Sequence, residues 1–274
     1  MPNVTVVHWN PAQPVVAGRL GRLVPLRRRP HNFGDLLGPF VVAELVRRRE
    51  LAAPARPARL LTVGSILRLA RTGDTVWGTG ANGKSLTLPY AFTDLDVRAV
   101  RGPLTRDFLL ARGIAVPEVY GDPGLLVGRL WTAEELAGGR SRRPVTVVPN
   151  LHDVATYRQD PDALAGHHLL DPRAPLAECL GTIAASALVV GSSLHGLVVA
   201  ESLGIPARLV APGTEPLFKY EDYYAGSGRA RFRPAGSVEE AVALGGEPPV
   251  AWDPDRLLQA FPVDLWGRTR DRTA

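Results

Sequence analysis

The stretch Leu188-Val189-Val190-Gly191-Ser192-Ser193-Leu194-His195-Gly196-Leu197-Val198-Val199-Ala200-Glu201-Ser202-Leu203-Gly204-Ile205-Pro206 decides the fold class of this chain. Its opening residues are apolar throughout rather than alternating, as in a strand covered on both faces of a parallel sheet. Ser192 or Ser193 is a good N-cap, and Gly204 then Pro206 end a helix, so a buried strand runs directly into a helix. The first turn of that helix aims N–H groups and a positive dipole end into the crevice above the strand ends, where open α/β sheets bind ligands. An anion is the natural occupant. The dipole also favours neutral His195, which can then accept or relay a proton near neutral pH. The plain alternative is a capped core helix with an incidental histidine.

The same alternation extends in both directions. Strands are expected at Val4–His8, Leu60–Val63, Thr75–Trp77, Val97–Val100, Glu118–Tyr120, Val145–Val148, Leu188–Val190 and Ala207–Val210. Helices are expected at Gly34–Arg49, Pro103–Ala111, Leu176–Ala185, Leu194–Leu203 and Val238–Leu244. Apolar strands alternating with helices make an α/β protein. Gly138-Gly139-Arg140-Ser141-Arg142-Arg143-Pro144 reads as a linker. It separates residues 1–139 from residues 144–250, each near the size of one nucleotide-binding domain. An amphipathic segment, Pro254 to Trp266, is expected to fold back across both, within a final stretch 251–274 whose end is polar and frayed.

Composition narrows the function classes. The 274 residues are 45% hydrophobic and 22% charged, with 28 glycines and 25 prolines, which excludes collagen, coiled coil and gross disorder. The single cysteine, Cys179, excludes an internal disulfide and fits a reducing compartment. Val4-Thr5-Val6-Val7 follows the start with no basic n-region or long apolar h-region, so a soluble, cytoplasmic protein is expected. The net charge is +5, and of the 32 basic residues only Lys84 and Lys219 are lysines. Arg27-Arg28-Arg29 and Arg47-Arg48-Arg49 are the densest basic runs. Lacking interleaved aromatics, they read as solvated loop and helix ends rather than a nucleic-acid platform.

Several other segments face the same edge. Arg101 ends a strand just before Pro103 opens a helix, so its side chain projects at a strand's carboxyl end. His31-Asn32-Phe33-Gly34-Asp35 precedes the first long helix, which puts Asn32 and Asp35 on that edge too. Lys219 stands out as one of two lysines. Gly78-Thr79-Gly80-Ala81-Asn82-Gly83 matches G-x-G-x-x-G, but no helix follows and the next acids, Asp94 and Asp96, come too early for a dinucleotide site. There is no nucleophile elbow and no P-loop, and His167-His168 lacks partners at metal-ligand spacing, so neither a metal nor a cofactor is indicated.

Taken together, these segments resemble the polysaccharide pyruvyl transferase family. The match consists of Asn32-Phe33-Gly34-Asp35, Trp77-Gly78-Thr79-Gly80, Val100-Arg101-Gly102-Pro103-Leu104-Thr105, Tyr120-Gly121-Asp122-Pro123, Val148-Pro149-Asn150-Leu151-His152, Ser192-Ser193-Leu194-His195-Gly196 and Lys219-Tyr220-Glu221-Asp222-Tyr223. The resemblance implies two Rossmann-like domains facing each other across a cleft, as in GT-B glycosyltransferases. It implies phosphoenolpyruvate as donor and a saccharide acceptor, lipid-linked or free, at a peripheral membrane association, giving a pyruvate ketal and phosphate. Arg101 and His195 map to the family's arginine and histidine, both expected at the donor, and the chain is short for the family. Ser193 stands where some members carry an arginine, so a charge contact is lost there or supplied by Lys219.

A doubly anionic donor needs several cations and a helix N-terminus. Arg101, Asn32, Ser192, Ser193, Leu194, Gly196 and Lys219 are therefore the expected binding residues, with proton transfer assigned to His195 or Asp35 and His152 as a further candidate. Two alternatives remain on the same sequence. One is a sugar-nucleotide glycosyltransferase with Glu201 beside the donor ribose; the other is a non-catalytic glycan-binding relative.

Overall fold

A first strand, β1 (Val4–Val7), lies at the edge of a four-stranded parallel sheet ordered β1-β4-β5-β6. Its neighbours are β4 (Ala58–Leu61), β5 (Thr75–Trp77) and β6 (Asp96–Ala99). Between β1 and β4 come a two-residue antiparallel pair, β2 (Gln13–Pro14) with β3 (Arg27–Arg28), and the long helix α1 (Phe33–Arg48). The structure is a computed structural model that describes residues 3–10, 13–14, 27–28, 32–229 and 231–267. After β6 the chain forms α2 (Pro103–Leu110), α3 (Val127–Leu130) and α4 (Ala133–Ala137). Gly138 then takes the left-handed conformation at the C-cap of α4.

A second parallel sheet, ordered β10-β9-β7-β8, follows. Its elements are β7 (Arg143–Val147), α5 (Val154–Gln159), β8 (His168–Leu169), α6 (Leu176–Ala184), β9 (Ser186–Gly191), α7 (Leu194–Ser202) and β10 (Ala207–Leu209). Central β9 pairs with β7 through Val145↔Leu188 and Val147↔Val190, and Val189 and Val190 are fully buried. The uninterrupted apolar run therefore lies where both faces are covered. The chain closes with α8 (Phe218–Gly226), α9 (Val238–Leu244) and α10 (Pro254–Gln259).

One hydrophobic cluster runs through both sheets' surroundings: Phe33, Leu37 and Val41 of α1, Trp77 of β5, Leu197 and Val198 of α7, and Tyr220 of α8. Burying each such side chain contributes about 1.5–3 kcal/mol. The C-terminal segment returns to the first sheet. Trp77 Nε1 donates to Leu257 O at 2.9 Å, and Trp252 Nε1 donates to Tyr120 O at 2.8 Å.

Two expectations change. Glu118–Tyr120 contributes only an isolated bridge, Val100↔Tyr120, because Pro117 and an exposed Glu118 leave little to pair or bury. Polar Phe218–Gly226, not expected to be helical, is α8, held by burial of Tyr220, Tyr223 and Tyr224. In the second basic run Arg47 and Arg48 bond Glu44, and Arg49 bonds Leu258 O, an ordinary helix end. Arg29, His31 and the tail beyond Gly267, expected to be frayed, lie outside the described residues. Among the described residues no helix is long and apolar enough to cross a membrane.

Candidate functional site

A cavity of about 510 Å³ opens at the carboxyl ends of both sheets. Asn32, Asp35, Ser65 and Lys84 line it from the first half, and His152, Ser193, Leu194, His195, Glu215 and Lys219 from the second. The α7 tip enters its wall because of Gly191. That residue has φ +140°, and any Cβ there would overlap the Val148 carbonyl. The turn can thus pass under Val148, whose carbonyl accepts the Ser193 N–H at 3.0 Å. Ser193 then caps α7, its Oγ accepting Gly196 N–H at 3.2 Å. Leu194 and His195 occupy the first turn, which lines the cavity although Leu194 is itself buried.

The His195 imidazole is held between the α1 backbone and a carboxyl group. On one side it rests on Gly34 of α1, where a Cβ would overlap the ring. On the other, Nε2 faces Asp122 Oδ2 at 3.8 Å. Both atoms are enclosed and lack a hydrogen-bond partner, and Nδ1 is the ring atom nearest to Gly34. Burial, then the positive charges of Lys219 and Arg101, push the His195 pKa down to about 3. Burial raises Asp122 to about 6, against the Gly124 N–H and Arg101, which lower it. Asp35 is also raised by burial to about 6, although Asn32 Nδ2 donates to its Oδ2 at 2.8 Å. A neutral imidazole and two carboxyls raised toward neutrality are groups whose chemistry suits proton transfer.

Charge gathers on the opposite wall. The two lysines of the chain, Lys84 from the β5–β6 connection and Lys219 from α8, both pair with the nearly buried Glu215. Lys219 Nζ lies 3.3 Å from Oε2, and His152 Nε2 lies 3.3 Å from Oε1. Burial pushes Glu215 up, but the two ammonium groups outweigh it and the net shift is downward. Burial lowers Lys219, with Glu215 opposing. Ile66, Leu69, Leu88 and Trp9, the last 50% exposed, add an apolar part to the wall, alongside the polar Arg68, Asn82, Ser85 and Asn150.

Asn32, Asp35, His152, Ser193, Leu194, His195 and Lys219 all line this one cavity. Three other expected residues stand behind its wall. Arg101 is fully buried. Its Nε donates to Asp222 Oδ2 at 3.0 Å, one Nη to Ser65 Oγ at 2.7 Å and the other to Ala81 O at 3.1 Å. Its partner Asp222 lies on α8, 121 residues further along, so the strand end that looked open is closed by a helix. Ser192 Oγ donates to Asp153 and accepts from the Asn150 N–H, locking the α7 turn to the β7 loop. Gly196 faces Val148 inside the fold.

The arrangement also contains residues that local patterns did not assign. Lys84 follows the G-x-G-x-x-G look-alike, and its rarity was the available signal. Asp122 sits in Tyr120-Gly121-Asp122-Pro123, capping a short 3-10 turn through Gly124 N–H at 2.8 Å. Glu215, in the irregular 211–217 connection, carries no signal at all. Glu201, at the far end of α7, forms a buried ion pair with Arg229 and accepts from Tyr223 OH.

The family model described as polysaccharide pyruvyl transferase matches residues 59–214, more than half of the chain. The chain belongs to that family. It is 28% identical over 226 residues to the succinoglycan biosynthesis protein ExoV of Rhizobium meliloti (strain 1021), covering 78% of this chain and 68% of that one. Its backbone is also similar, with a TM-score of 0.44 and 10% identity, to the functionally uncharacterized protein KP1_0663 of Klebsiella pneumoniae subsp. pneumoniae NTUH-K2044. That likeness covers 81% of this chain and 87% of the other.

Proposed function

We propose that the chain transfers the pyruvyl group of phosphoenolpyruvate to two hydroxyls of a saccharide, forming a pyruvate ketal and releasing phosphate. The reading takes residues 1–139 and 144–250 as Rossmann-like lobes in a GT-B-like arrangement, with the segment Pro254 to Trp266 folded back across both. One observation carries it. Both lysines of the chain, one from each half, meet at Glu215 on the cavity that also holds the His195 helix tip. An ammonium has three N–H donors, so each lysine can keep Glu215 and still bind an anion. Arg101 acts from behind. Ser65 Oγ accepts its N–H and so retains its own proton for a donor oxygen. Asn32 and the first turn of α7 at Ser193 and Leu194 complete the donor's surroundings.

Proton balance sets the chemical roles. Two acceptor O–H bonds break in the overall reaction; one proton ends on the donor's methylene carbon and the other leaves with phosphate. Asp35, protonated in part near neutral pH, gives its proton to the methylene carbon, so the central carbon becomes electrophilic. His195 Nδ1 takes the proton of the first attacking hydroxyl as the C–O bond forms. The second hydroxyl displaces phosphate, and His152 is our candidate for its proton. The sugar ring lies against Trp9 and Leu88, whose exposure suits the apolar face of a pyranose.

The ExoV resemblance favours an exopolysaccharide or its lipid-linked precursor as acceptor, met at the cytoplasmic membrane surface. The engagement of Glu201 with Arg229 counts against a ribose-binding acid, and hence against a nucleotide-sugar donor. The test incubates the chain with phosphoenolpyruvate and candidate oligosaccharides. Release of phosphate together with a new ketal methyl resonance is expected. His195→Ala should lower turnover about 10²–10⁴-fold at saturating donor. Unchanged turnover removes His195 from the chemistry, and calorimetric binding of nucleotide sugars without phosphoenolpyruvate removes the donor.

A further inference from the structure

Two polar atoms beside the cavity have no partner among the described residues except each other. Asp122 Oδ2 and His195 Nε2 are both enclosed, 3.8 Å apart, and neither forms a hydrogen bond. An unpaired buried polar atom is costly, and two facing one another are rare without a reason. The carboxyl cannot turn away, because Oδ1 accepts the Gly124 N–H at 2.8 Å and the side chain caps the turn that begins at Pro123. Neither can the ring retreat, since Gly34 of α1 lies against it. The gap needs a movement of about 1 Å to become a hydrogen bond, the sort of tightening that substrate binding brings.

We propose that Asp122 is the positioning residue for His195: its carboxylate holds the proton on Nε2, so that Nδ1 meets the acceptor hydroxyl with a free lone pair. The inference rests on the proton-transfer role given to His195 above. As Nδ1 takes the hydroxyl's proton, the N–H bond forms while the O–H bond breaks, and the carboxylate stabilises the resulting imidazolium. That compensation is needed here. Lys219 on α8 and Arg101 at the end of β6 both disfavour a charged ring. Asp222 on α8 is already paired with Arg101, and Asp35 on α1 bonds Asn32.

The arrangement carries a pH consequence. Asp122 titrates near pH 6, raised by burial and held partly down by Gly124 N–H and Arg101. Below that point its own O–H donates to Nε2, the ring proton moves to Nδ1, and the free lone pair on Nδ1 is lost. Activity therefore falls on the acid side as Asp122 becomes protonated.

The experiment follows the ring nitrogens of His195 by ¹⁵N NMR of histidine-labelled full chain, assigned with His195→Gln. At pH 7.5 the Nε2–H tautomer is expected, passing to Nδ1–H as the pH drops through about 6. In Asp122→Asn the amide donates to Nε2, so the Nδ1–H tautomer is expected throughout, with kcat down about 10²-fold or more and donor affinity within about twofold. The wild-type titration needs no variant to fold. A His195 tautomer that is Nδ1–H at pH 7.5, or that ignores the titration of Asp122, overturns the inference even if His195→Ala is inactive. Should His195→Ala retain turnover, the proton-transfer role falls while the tautomer result still reports the couple.

Discussion

At the end of β6, Arg101-Gly102-Pro103 leads into α2; at the end of β9, Gly191-Ser192-Ser193 leads into α7. Both turns stand at the carboxyl edge of a parallel strand and open a helix, the position where α/β proteins collect ligands. Only the second faces the cavity. The first is covered by α8, whose Asp222 accepts from Arg101, from the Thr105 N–H at 2.9 Å and from Thr105 Oγ1 at 2.6 Å. A strand end becomes a site only where nothing packs upon it, and what packs upon it can come from far along the chain.

The largest effect is expected from breaking the closed turn. Arg101→Ala leaves the buried Asp222 carboxylate without its counter-charge, held only by Thr105, so a loss of about 3–5 kcal/mol is expected in urea unfolding. Replacing the pair together, Arg101→Met with Asp222→Leu, should recover most of it, because two apolar groups have no charge to compensate. If Arg101→Ala keeps full stability and raises only the donor KM, the two turns are alike after all.

The comparison also explains what was legible in the sequence. Apolar runs such as Val189-Val190 and the capped helix after Ser193 are local facts, so β9, α7 and their edge could be read directly. β5 and α9 fall on the residues their patterns marked. Seven of the candidate residues line the cavity. Ser193, Leu194 and His195 follow from the rule that a turn at a strand's carboxyl end faces a crevice, whereas Lys219 is marked only by the rarity of lysine. That rule cannot say what covers the turn, and so Arg101 looked open. Lys84 and Glu215 owe their place to a meeting of segments 131 residues apart, which no window of sequence contains. Helix α8 was hidden because tyrosines supply its buried face and a short polar stretch gives no apolar period.

A smaller effect separates the turns by pH. Asp122 has a folded pKa near 6, above its unfolded value near 4, so the fold binds its proton more tightly than the unfolded chain. Its carboxylate therefore costs stability above pH 6, and that cost disappears as pH falls to 4. His195 works the other way: with a folded pKa of about 3, it stays neutral while unfolded histidine gains a proton below about 6.5. Asp122→Asn removes only the first contribution. Relative to wild type, the variant should lose about 2–3 kcal/mol between pH 7 and pH 4, read from urea midpoints across the range. A parallel pair of curves means that Asp122 does not titrate behind His195.

The smallest change tests the open turn itself. Gly34 is the first-turn residue of α1 on which the His195 ring rests, and a methyl there must displace the ring or the helix. Elsewhere in a helix, Gly→Ala is favourable by about 1 kcal/mol, so the sign of Gly34→Ala is informative. Overpacking makes it unfavourable by about 1–3 kcal/mol, and the displaced imidazole lowers kcat more than it alters donor affinity. His195→Ala placed in the same chain removes the obstacle, so the double variant should regain the lost stability without regaining activity. Equal losses in both backgrounds would mean that Gly34 serves α1 alone, and that the ring is held only from the Asp122 side.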